Sequence, residues 1–248
     1  MRLRAFLGLL ASERLKLAKS PIWLLVPISP ALAFVIGLFA ELDEAPAAQH
    51  YTILQSSVFT LHALLLLPIL TGIFSSFVCR FEHGGGGWKS LLALPVSRGG
   101  LYAAKLVTIA ALLAATQLLI LASLMATVYY HGIEGGMDWS AAIQAIASGW
   151  LACLPLAAVQ LWASIGWSSF AMPLAINVAF TLPNILIVNS AKFSPFYPWA
   201  QPSLAMLSSG EMDYGAFNLP MENILVTIGG SLLIFAAGGL AYMHRKEI

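Results

Sequence analysis

The segment Gly84-Gly-Gly-Gly-Trp88-Lys89-Ser90 holds the residue types closest to chemistry. A glycine-rich loop ending in Lys-Ser binds nucleotide phosphates when its backbone N–H groups close around them. That geometry needs glycine directly before the lysine and a buried strand before the loop. Trp88 takes the first place and no strand pattern provides the second, so nucleotide binding by this route is excluded. His83 followed by four glycines has the look of an esterase oxyanion loop, yet the chain contains no G-x-S-x-G nucleophile elbow. The five histidines (His50, His62, His83, His131 and His244) are scattered, with no pair at metal-ligand spacing on one helix. Cys79 and Cys153 form neither a disulfide framework nor a metal motif. The reading is a chain with no catalytic residue, no metal site and no cofactor of its own.

The elements that would carry these residues belong in a bilayer. Hydrophobic residues make up 59% of the 248 and charged residues 9%, far below the roughly one-quarter charged content of soluble domains. Apolar runs long enough to cross the hydrocarbon core lie at roughly 22–40, 57–79, 101–129, 143–166, 171–189 and 222–243. The expected fold class is therefore an all-α membrane protein with six transmembrane helices. Lys and Arg cluster before the first run, between the second and third, and after the sixth; Lys192 alone falls on the other side. Cytoplasmic loops carry the Lys/Arg excess, which puts both termini and residues 80–100 inside. Most acids (Glu41, Asp43, Glu44, Glu134, Asp138, Glu211, Asp213) fall outside. The loop near Trp167–Phe170 has no basic residue to support its inside placement.

Residues 1–20 read as an amphipathic interfacial helix, with Leu3, Phe6, Leu7, Leu10 and Leu17 on one face and Ser12, Glu13, Lys16 and Lys19 opposite. Arg14 intrudes on the apolar face, where its stem can snorkel toward headgroups. Ser20-Pro21 supplies a helix start signal, and residues 21–248 form one membrane domain. Inside the runs the polar residues are few. Gln117, Gln160, Asn177 and Asn184 are neutral amides, either interhelical glue or a polar substrate track; His62 reads as a packing residue. This scarcity of intramembrane charge counts against a protease, a transferase or an ion-coupled carrier. Ala111 and Ala115 permit close helix approach. The stretch 190–221 is too broken by proline to span and too apolar for a free loop. It reads as an external lid, with Phe196, Tyr197 and Trp199 as its aromatic contacts.

Between the second and third runs, Trp88-Lys-Ser-Leu-Leu-Ala-Leu94 predicts about two turns of amphipathic helix, stopped by Pro95. The pattern Glu82-x5-Trp88-Lys-Ser-Leu-Leu-Ala-Leu-Pro95-Val-Ser-Arg98, then Tyr102 and Lys105, resembles the cytoplasmic loop of ABC-2-type transporter permeases, most closely those of lantibiotic-immunity and bacitracin-type peptide exporters. The basic N-terminal helix, the six spans and the long segment before the last span are similar too. The resemblance implies that segment 80–98 is a coupling helix docking on a separate ABC ATPase, through Arg80, Glu82, Trp88, Lys89, Leu91, Leu92, Leu94 and Pro95. It further implies two ATPase subunits carrying ATP and magnesium, a second permease copy or related permease, and an amphipathic peptide or lipid-like substrate moved out of a bacterial plasma membrane. Nucleic acid has no place in this reading. An ATP-independent membrane scaffold is the alternative from another class, and a proton-coupled carrier a further one.

Overall fold

Backbone groups in lipid can be paired only within helices or a closed barrel, and this chain pairs them within helices. The computed structural model describes residues 3–42, 45–84, 87–133, 135–208, 217 and 219–246. It is 81% helix, with no strand among the described residues. Helix α1 (Leu3–Ala18) is followed by α2 (Ile22–Leu25) and α3 (Ile28–Leu38), whose common axis is turned by 79° from that of α1. Ser20 Oγ accepts the N–H of Ile22 at 3.2 Å at this corner, as Ser20-Pro21 leads one to expect. Pro27 has no N–H to continue the ladder, and it separates α2 from α3.

Next come α4 (His50–Leu61), a π-turn (His62–Leu66) and α5 (Leu67–His83), one 37-residue rod from Ala47 to His83. The π-turn is marked by the N–H of Leu67 reaching back five residues to the carbonyl of His62. The rest comprises α6 (Gly87–Leu92), α7 (Arg98–Tyr130), α8 (Trp139–Gly166), α9 (Ala171–Thr181), α10 (Asn184–Ile187), α11 (Gln201–Leu207) and α12 (Met221–Arg245). Two of these begin on side-chain caps: Ser97 Oγ accepts from Gly100 N at 3.1 Å, and Asp138 Oδ1 from Ala141 N at 3.0 Å.

Among the described residues, four helices are long and apolar enough to cross a membrane: Ala47–His83, Arg98–Tyr130, Trp139–Gly166 and Met221–Arg245. A fifth span results if α1 and the bent pair after it count as one. The first and fifth expected runs thus appear as shorter helices, Ile22–Leu38 and Ala171–Ile187, interrupted at Pro27 and Pro183. The second extends well beyond its expected start, where Tyr51, Gln55 and Ser56 line a pocket of about 310 Å³. Asp43, Glu44, Glu134, Glu211, Asp213 and residues 209–216 of the expected lid lie outside the described residues.

α8 occupies the centre, packed by α5, α7, α11 and α12, while α7 is flanked by α1 and α3. Two glycines bring helices close: a Cβ on Gly72 would stand 2.3 Å from Asn177 Nδ2, and one on Gly149 2.3 Å from Met206 Cγ. α12 lies at the periphery, with Val226, Leu233 and Ile234 exposed.

Candidate coupling site at the basic end

Where α1, α5 and α7 converge, four charged side chains close a ring. Lys16 Nζ lies 2.8 Å from Glu13 Oε1 and 2.6 Å from Glu82 Oε1. Lys105 Nζ lies 3.2 Å from Glu13 Oε1 and 2.9 Å from Glu82 Oε2, and donates to the carbonyl of Val78 at 2.8 Å. The Lys105–Glu82 Oε2 contact is an ion pair out of line for a hydrogen bond. Two cations and two anions leave no net charge, which permits burial: Lys105 is 0% exposed, Glu13 2% and Glu82 3%. Only Lys16, at 23%, reaches solvent. Each ion has partners of opposite sign on another helix, so the ring ties three helix ends into one unit.

The glycine run folds α6 back over this ring. Gly84 is extended, at φ −87° and ψ 140°, and its carbonyl accepts the N–H of Gly87 at 3.0 Å. A Cβ at Gly87 would stand 2.8 Å from both Glu82 Cα and the Phe81 carbonyl oxygen, so no larger residue fits this backbone approach. Gly85 and Gly86 lie outside the described residues. Trp88 then points inward and is buried. Its Nε1–H donates to His83 Nδ1 at 3.2 Å, and His83 Nε2–H donates to the Ser164 carbonyl at 2.7 Å. That pairing selects the neutral tautomer with its proton on Nε2. The ammonium groups of Lys105 and Lys246 lie 5.9 and 5.0 Å from the centroid of the indole. Lys246 also donates to the carbonyl of Ile165 at the end of α8. Burial draws the Lys246 ammonium below its usual pKa. Arg98 Nη1 closes the end of α12, donating to the carbonyls of Met243, His244 and Lys246 at 3.2, 2.7 and 3.0 Å.

The expected docking residues therefore divide. Arg80, Lys89, Leu94 and Pro95 are exposed, and Leu91 and Leu92 half-buried. Glu82 and Trp88 face inward, one in the ion ring and the other over it.

The family profile for ABC-2 family transporter proteins matches residues 9–184, which include the ring, the glycine turn and α6. The chain belongs to the ABC-2 transporter family. No match was found among curated protein sequences.

In this ABC-2 protein the four intramembrane amides are all buried, and three make hydrogen bonds that hold helices together. Gln117 Oε1 bonds His62 Nε2 at 3.0 Å, while Ser29 Oγ lies 2.6 Å from His62 Nδ1. The resulting chain joins α3, the π-turn and α7. Asn177 Nδ2 donates to the carbonyl of Pro68 at 2.9 Å, and its Oδ1 accepts the indole N–H of Trp199 at 2.9 Å. Asn184 Nδ2 donates to the carbonyls of Leu64 and Trp199 at 2.9 and 3.0 Å. Among the described residues, Asn184 and Gln160 each leave the amide oxygen buried without a partner; Gln160 differs in place, lining an aromatic crevice of about 610 Å³ with Trp162, Trp167, Phe180, Trp199 and Tyr242. Trp199 is buried and stacked on Phe180 at 4.9 Å; Phe196 is exposed. Tyr197 donates to the Phe180 carbonyl at 2.6 Å, so the expected lid is anchored on α9.

Sequence reasoning missed the ring itself. The sequence puts Glu13 and Lys16 on the polar face of α1 and Lys105 in the loop pattern, with nothing to pair them. The available signal was two acids among the basic residues that flank the apolar runs.

Proposed function

We propose that this chain is the permease subunit of an ATP-driven ABC-2 exporter, with α6 as the element on which an ABC ATPase docks. The observation that carries the reading is the two-sided character of α6. Its inner side is clamped through Trp88 to a charge-neutral ring joining α1, α5 and α7, while Lys89 on the helix and Leu94 and Pro95 just beyond its end are exposed. A partner pushing on the outer side moves three membrane helices together instead of bending a loop. The basic end is cytoplasmic in this reading, since Lys and Arg concentrate there. α1 lies in the inner interface, α6 is the coupling helix and the Ser194–Leu207 segment is an external lid. Two ATPase subunits bind ATP and magnesium, and two permease halves form the path. The substrate is amphipathic, as a lantibiotic- or bacitracin-like peptide is, and its export confers immunity.

The test is co-purification. Tagged wild-type chain, expressed with an ABC ATPase from the same organism, should retain that ATPase and stimulate its turnover. Reversing the outward charges (Arg80→Glu with Lys89→Glu) should abolish retention while leaving the thermal midpoint of the permease alone unchanged. Full retention by this variant would sink the docking assignment, and no ATPase with the wild type would sink the exporter.

A further inference from the structure

Under α1 runs an apolar groove of about 270 Å³, walled by Leu10, Leu17 and Trp23 on one side and by Ala111 and Ala115 of α7 on the other. The small side chains at 111 and 115 leave it open, and Trp23 is fixed at its edge by a 2.9 Å bond from its indole N–H to the Leu17 carbonyl. Arg14 is part of its lining. It is exposed, it shares a helix face with Leu10 and Leu17, and no carboxylate pairs with it among the described residues. The α7 residues that line it, from Val107 to Ala115, run for about 12 Å at 1.5 Å per residue. That approaches half of the ~30 Å hydrocarbon core, so the groove is nearly one leaflet long, with a cation in its lining.

We propose that this groove holds one acyl chain of an anionic phospholipid from the leaflet on the basic side, with the lipid phosphate paired to Arg14. The dimensions suit a chain lying along α7, and the unpaired guanidinium suits a phosphate, with which it forms two-pronged hydrogen bonds. Basic pockets between membrane helices on the cytoplasmic side are expected sites for acidic headgroups. A second copy of this chain fits less well, because an apolar helix laid across the groove would cover an unpaired guanidinium, which is costly in a membrane. A lipid wedged here would set how far α1 lies from α7, and hence the geometry of the ring that both helices share.

Trp23 provides the readout, since bromine on an acyl chain quenches indole fluorescence at contact. The full chain is reconstituted in phosphatidylcholine vesicles with rising fractions of phosphatidylglycerol carrying brominated chains, and subtraction of a Trp23→Phe variant isolates the Trp23 signal. Trp23 should be quenched at lower fractions of brominated phosphatidylglycerol than of brominated phosphatidylcholine. Arg14→Gln, at an exposed position, should reduce that preference by about fivefold, the contribution of one basic residue near a charged surface. Ala111→Phe should abolish it by filling the groove while Arg14 stays in place. Equal quenching by the two lipids in the wild type, or no change in Arg14→Gln, would overturn the site. So would an unquenched Trp23 whose Ala111→Cys variant cross-links between copies, since the occupant would then be a second chain. None of these readings depends on an ATPase, so the lipid site and the docking assignment fail separately.

Discussion

Replacing Lys105 by methionine tests the ion ring most directly. The substitution keeps the apolar stem and deletes one charge, leaving Glu13 and Glu82, which are 2% and 3% exposed, with Lys16 alone between them. Removing one partner of a buried pair costs about 3–5 kcal/mol, because the remaining charge is left uncompensated away from water. At about 2–4 °C per kcal/mol for a chain of this size, the thermal midpoint should fall by about 6–20 °C. The protein carries its own reporter: Cys79 and Cys153 are both 0% exposed, so a maleimide dye that fluoresces on reaction marks unfolding. Glu82→Gln combined with Lys105→Met restores neutrality by leaving the Glu13–Lys16 pair intact. The double variant should recover about 2 kcal/mol relative to the sum of the two singles. A Lys105→Met midpoint within about 2 °C of wild type would refute the ring as a stabilising unit. Simple additivity in the double variant would show that its members act separately.

Other perturbations follow from individual contacts. Gly72→Ala places a methyl group against Asn177 and should cost about 1–3 kcal/mol, read as a lower midpoint; no change would mean that α5 and α9 can part freely. Asn177→Leu strands the Trp199 N–H and should cost about 1–3 kcal/mol, whereas Gln160→Leu removes an amide whose oxygen is already unpaired and should be neutral or slightly stabilising. Equal losses in both would contradict the division between helix-joining amides and the crevice amide. Arg98→Gln frees three carbonyls at the end of α12 and should speed trypsin cleavage after Arg245; unchanged cleavage would rule out the cap.

Fold class and site were not equally legible in the sequence. The long helices were readable because lipid demands about 20 apolar residues in a row, and an end of α6 ahead of Pro95 because proline constrains its predecessor, although α6 closes at Leu92, two residues before the expected Leu94. Ser20 at the α1–α2 corner was readable for the same local reason. Span continuity was less so: Pro27 and Pro183 split their helices, while Tyr51 and Gln55 continue one and line a pocket. The ring was invisible for a deeper reason. Glu82 meets Lys16 across 66 positions and Lys105 meets Glu13 across 92, and no periodicity within one segment encodes such pairings. Glu82 and Trp88 stand on either side of the glycine turn, and their direction is set by Gly87, whose missing side chain lets α6 fold inward.

The π-turn at His62–Leu66 has a consequence for phase. It holds one residue more than an α-turn without breaking the rod, so the extra residue is absorbed within the turn and α4 keeps its rotational setting relative to α5. Tyr51 therefore still bonds the Asp138 carbonyl at 3.1 Å, and Val58 still lies against Gly37. Were the same residues wound as plain α-turns, everything upstream would rotate by about 100° relative to α5 and both contacts would part. The turn is a take-up in the shaft that keeps its two halves in phase with the rest of the protein.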